Sequence, residues 1–150
     1  MTCHRADGTI TGQRSGEFFV RHDIHHYAVE TTLGLDRAFY GYVAKGWDIQ
    51  DFGTPWPKGK MADEDFPQLM LAEMFAAALD RDQFGDPLTA GQLNGQLQQY
   101  SKEHSLASFT LVSENELNVA RKRVSDILSC WQALPEGQTM ELRFPTGDRA

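Results

Sequence analysis

His22, Asp23, His25, His26 and Glu30 fall within nine residues in the stretch FFVRHDIHHYAVETTLGL, an otherwise apolar and aromatic run. On a helix advancing about 100° per residue, His22, His26 and Glu30 share a sector of roughly 80°, with Asp23 near its edge. Val29 and Leu33 lie beside them on the same wheel, so this side is expected to face the protein, while His25 points about 60° away. Burying a carboxylate with two imidazoles costs free energy unless each group finds a partner, and a divalent cation is one partner that all can share. Imidazole nitrogen with carboxylate oxygen suits Zn(II), Fe(II) or Mn(II), with zinc the default where no redox partner is evident. Three protein ligands plus a water form an open site able to activate that water or polarise a substrate oxygen. The expected ligands are His22, Asp23, His26 and Glu30, Asp23 acting as a ligand or as the group that orients one. Glu30 is also the candidate catalytic carboxylate, and Tyr27 the candidate proton donor.

The same residues have a structural explanation. Asp23 fits a helix N-cap, Glu30 can pair with Arg21 or Lys45, and a helical histidine is commonly a hydrogen-bonded core residue. On that basis the chain is a noncatalytic binding or regulatory module, its polar network tying the first helix to the sheet and to a tryptophan-bearing loop. Other reactive constellations are missing from the sequence. There is no G-x-S-x-G elbow and no glycine-rich phosphate loop, and Cys130, on the C-terminal helix, reads as an inert buried thiol.

The elements that must position the cluster follow from local pattern. Two short strands are expected first, at Ile10–Thr11 after the Asp7–Gly8 turn and at Phe18–Val20. With Asp23 as cap and Gly34 just past the end, the first helix should run from about Ile24 to Leu33. Asp36 caps a second helix, RAFYGYVAK, which Gly46 ends. Residues 51–60, rich in Gly and Pro, form an irregular loop suited to cover a pocket walled by Tyr27, Phe39, Tyr40, Tyr42, Trp47 and Trp56. Phe66, Leu69, Met70, Met74, Ala77 and Ala78 recur at helical intervals and mark a third helix, and Thr89 caps a polar fourth. Ser113 and Glu116 form a capping box for a fifth, whose Leu117, Ala120, Val124, Ile127, Leu128 and Trp131 belong to the core. Alternation at Met140, Leu142 and Phe144 predicts a last strand pairing with the N-terminal ones. The fold class is α+β: a mostly helical single domain over residues 1–150 with a small antiparallel sheet from the N- and C-terminal strands.

A chain of 150 residues, 41% hydrophobic and 23% charged, is long enough and apolar enough for one core. Lys+Arg 14 against Asp+Glu 21 leaves a net charge of -7, which speaks against nucleic acid as a partner. The run Arg121, Lys122 and Arg123 reads as a solvated helix face. No apolar run approaches the roughly 18 residues that span a bilayer, and MTCHRADG lacks the order of a secretory signal, so no membrane partner and a cytoplasmic location are expected. Cys3 and Cys130 read as two free thiols.

The segments HDIHHYAVETTLGL and AFYGYVAKGWDI resemble the HD-x-x-HYAVE, LGL, FYG and GWDI segments of a family of small uncharacterised bacterial proteins. The resemblance covers about the first third of the chain, and Glu116 to Arg123 (ELNVARKR) and Trp131 to Gly137 (WQALPEG) extend it. It implies that the cluster matters without naming a reaction. A weaker similarity is to the HD-x-x-H motif of the zinc-binding protein of ubiquinone biosynthesis, matched by His22, Asp23 and His26. That family places a further glutamate well downstream, whereas Glu30 follows His26 by four residues. The expectation is a metal-binding protein, a hydrolase or lyase acting on a small molecule.

Overall fold

Glu17 meets the positive end of a helix dipole and pairs with Arg21 one turn on, at 3.4 Å, which favours helix well before Asp23. In the computed structural model, where residues 1–14, 16–52 and 61–146 are described, helix α1 accordingly spans Glu17–Leu33 from an extended Gly16. Phe18, Phe19 and Val20 form its first turn rather than a strand, and Asp23 is interior rather than a cap. At the other end Gly34 takes a left-handed conformation (φ 66°), and its amide and that of Leu35 both reach the Glu30 carbonyl.

The sheet is a hairpin of β1 (Thr2–His4) and β2 (Ile10–Gly12), antiparallel with Cys3 opposite Thr11. Its turn uses Gly8 at φ 85° and Asp7, whose Oδ1 accepts the Thr9 amide at 2.9 Å. The expected C-terminal strand is not part of it: the two-stranded sheet is wholly N-terminal, and residues 139–146 form no ladder. That segment meets aromatic side chains instead of a strand edge. Tyr27 Oη donates to the Arg143 carbonyl at 2.8 Å and Phe144 stacks on Tyr40 at 5.7 Å.

Helix α2 (Phe39–Ala44) follows, then 3-10 turns at Ile49–Phe52 and Asp63–Asp65, and then α3 (Phe66–Asp82), α4 (Ala90–Glu103) and α5 (Glu114–Gln132). Thr89 with Gln92, and Ser113 with Glu116, close both halves of a capping box, as the sequence predicts. Asp36 does not cap α2; it pairs with Lys45 at 3.3 Å, and Ala38 stands at the N-cap position. Helix α1 packs between α3 and α5, and α4 covers α3. Val29, Leu69, Phe75, Leu93, Leu97 and Leu117 are among the fully buried core side chains.

Two of the three basic residues on α5 are not a solvated face. Arg121 forks onto Asp82 at 2.7 and 3.1 Å and reaches the Leu88 carbonyl, while Arg123 donates to the Thr31 hydroxyl. They bind α5 to its neighbours. Cys130 is exposed rather than buried, because α5 turns Val124 and Ile127 inward, and neither cysteine is paired. Among the described residues no helix is long and apolar enough to cross a membrane. The expected covering loop lies largely outside the described residues, since it includes positions 53–60 and with them Trp56.

Candidate metal centre

His22 and His26, one turn apart on α1, place their rings 4.7 Å from each other, edge to face. The carboxylate that meets them comes from α3: Glu73 Oε2 lies 3.4 Å from His26 Nε2 and 4.0 Å from His22 Nε2. One ligand atom from each of the three residues falls within 4.8 Å of the others. Ligands held at about 2.0–2.2 Å by a tetrahedral cation sit about 3.3–3.6 Å apart. The closer contact is at that spacing already, and the longer ones involve His22 and Glu73, whose side chains are both partly exposed.

Two further carboxylates stand behind the rings. Glu30 is fully buried, and its Oε2 accepts the amides of Tyr40 and Gly41 at 2.9 and 3.2 Å. These amides belong to the first turn of α2, so Glu30 serves as that helix's cap from another helix. Its Oε1 faces His26 Nδ1 at 3.5 Å, at the limit of a hydrogen bond, and neither atom has another partner among the described residues. Asp80 lies two turns beyond Glu73 on α3. Its Oδ2 is 3.5 Å from His22 Nδ1, and its Oδ1 is 2.7 Å from the buried His25 Nδ1, although that ring is not aimed squarely enough for a hydrogen bond.

The electrostatics follow from burial and these contacts. Desolvation lowers the His26 imidazole, but Glu30 and Glu73 outweigh it and raise the group to about 10. Partial burial raises Glu73, yet His26 and His22 bring it below its ordinary value. Burial raises Glu30 against the pull of His26 and the two amides. Desolvation lowers His25, with Asp80 opposing. His26 thus stands between two carboxylates that favour its protonated form.

Of the residues expected from sequence, the structure brings together His22 and His26 as candidate ligands and adds Glu73. Glu30 stands behind His26 rather than beside the ligand atoms, because the α2 amides hold its other oxygen. Asp23 lies outside the three-ligand group, but lines the same cleft as the histidines, with its carboxyl raised by burial. Tyr27 does not line the cleft; its hydroxyl is committed to the Arg143 carbonyl. The cleft, about 510 Å³, opens beside the cluster between Phe19, Phe39, Phe52, Ile49 and Met70. Of the expected aromatic wall only Phe39 takes part among the described residues: Tyr40 is turned to the Asp23 carbonyl, Tyr42 to Asp65, and Trp47 packs on Tyr42.

Glu73 and Asp80 are not among the residues that the sequence pattern points to. The available signal was a pair of carboxylates seven apart, hence on one face, in a helix that otherwise buries Leu69, Ala72, Ala76 and Leu79. Comparisons with protein-family models, curated proteins and solved structures find no match.

Proposed function

We propose that the protein binds a divalent cation through His22, His26 and Glu73, and acts as a metal-dependent hydrolase or lyase on a small molecule entering the adjoining cleft. The observation that carries this is the convergence of two imidazole nitrogens and a carboxylate oxygen, from two helices, at the wall of a cleft of ligand size. Two imidazoles and one carboxylate favour zinc, with Fe(II) or Mn(II) next. Three protein ligands leave a position open, and a cation there supplies Lewis acidity toward a water or a substrate oxygen. Asp23 is the one further carboxylate lining the cleft among the described residues, placed to take a hydrogen bond from a bound molecule. The similarity of His22, Asp23 and His26 to the HD-x-x-H zinc motif agrees with this, Glu73 being a carboxylate well downstream. Unpaired Cys3 and Cys130 suit a reducing cytoplasm, and the acidic net charge disfavours nucleic acid.

A second reading has its own observation. His26 lies between Glu30 and Glu73, at 3.5 and 3.4 Å, so a protonated imidazole completes the network without an ion and makes it structural. Elemental analysis of protein produced without a metal-affinity tag separates the two. About one zinc per chain, lost in His26→Ala and in Glu73→Gln, supports the metal site; folded, metal-free protein that takes up no added zinc supports the network.

A further inference from the structure

His25 is the member of the histidine cluster that the ligand set leaves unused, and it is almost completely buried, at 4% exposure. A neutral imidazole offers one lone pair, and the nitrogen offering it is decided by what the other nitrogen meets. For His22 to present Nε2 toward Glu73, its Nδ1 must carry the proton and face an acceptor. Asp80 Oδ2 is the carboxylate oxygen nearest that nitrogen, at an ion-pair distance of 3.5 Å, so α3 places a carboxylate at each edge of the ring, Glu73 at 4.0 Å on the Nε2 side and Asp80 on the Nδ1 side. A carboxylate with a side chain 22% exposed has freedom to turn toward water; the other oxygen of Asp80 is instead 2.7 Å from His25. His22 and His25 are three residues apart on one helix, which lets a single carboxylate from the neighbouring helix reach both. The arrangement repeats that at His26, whose Nδ1 faces Glu30, itself fixed by two backbone amides.

We propose that His25 is a positioning residue that acts through Asp80, holding His22 in the Nδ1–H tautomer with Nε2 turned to the cation. The proposal rests on the metal reading for its purpose but not for its geometry. Partners behind a metal-bound histidine typically change metal affinity about 10–100-fold when removed. Asp80→Asn and His25→Leu are each expected to weaken zinc binding by about that factor in a competition titration with a chromophoric chelator. His25→Gln, which keeps a polar side chain beside Asp80, should restore most of the affinity. Nitrogen-15 spectra of histidine-labelled, metal-free protein, recorded where His22 is neutral, should show it protonated at Nδ1 in the wild type and shifted toward Nε2–H in Asp80→Asn and His25→Leu. The spectra decide the matter independently of any metal: wild-type His22 protonated at Nε2 overturns the proposal. So does unchanged zinc affinity in folded Asp80→Asn and His25→Leu. If the wild type binds no zinc but the tautomer behaves as stated, the metal reading fails and the positioning role stands.

Discussion

Glu30 and Glu73 both contact His26, yet they should respond oppositely to substitution. Glu30 is fully enclosed and takes two α2 amides; removing its carboxylate in Glu30→Ala strands those donors and a buried imidazole. Each stranded buried donor costs about 1–3 kcal/mol, so Glu30→Ala should lower the urea midpoint sharply. Glu73, with its side chain 31% exposed, has water as an alternative partner. Glu73→Gln should stay within about 1 kcal/mol of the wild type while abolishing zinc uptake. A variant series that loses stability at Glu73 and metal at Glu30 would reverse the roles assigned to them.

At the scale of elements, α2 is the dependent one. Six residues are far too few for a helix to persist alone, and it has no side-chain cap of its own, so it forms because Glu30 supplies one and because Gly41 sits against the Asp36 backbone. A Cβ at Gly41 would lie 2.3 Å from the Asp36 carbonyl carbon and oxygen. Gly41→Ala should therefore lower the melting temperature markedly and disturb the Glu30 contact with it. The far side of α2 is tied to the start of α3 by Asp65, which accepts from Tyr42 at 2.6 Å and Arg37 at 2.7 Å. Desolvation is the largest single influence on the Asp65 carboxyl and raises it, but the hydrogen bonds from Tyr42 and Arg37, with the charges of Arg37 and Lys45, together outweigh it and hold the group below its ordinary value. A group lowered on folding lends its stability fully above its unfolded value, near about 3.9, and loses it as pH falls through the folded value. Asp65→Asn should flatten the acid limb of the stability profile, read as urea midpoints from neutral pH downward.

For the whole molecule, α1 is the element on which α2, α3 and α5 all pack, and it buries His25, His26 and Glu30 beside Ile24, Ala28 and Val29. A cation bound between α1 and α3 would therefore stabilise the folded chain as a unit. At a free zinc concentration 100 times the Kd the gain is about 2.7 kcal/mol, several degrees in Tm, reversed by chelator and missing in His26→Ala. Calorimetry with and without zinc checks it.

By itself the sequence determined what short-range physics encodes: a mostly helical single core, the Thr89 and Ser113 starts of α4 and α5, the Gly34 end of α1, and the stretch where histidines and acids concentrate. Each depends on residues within a turn or two of one another. It did not determine where α1 begins, because the local preference of Asp23 for a cap yields to the pairing and dipole contacts of Glu17. Nor did alternation at Met140–Phe144 make a strand, since a ladder needs an edge to join, and that segment meets Tyr27 and Tyr40 instead. The identity of the site's carboxylates was decided only by tertiary structure. The face that α3 turns toward α1 is set by packing of the whole core, and that rotation brings Glu73 and Asp80 to the two edges of His22 while the α2 amides draw Glu30 behind His26.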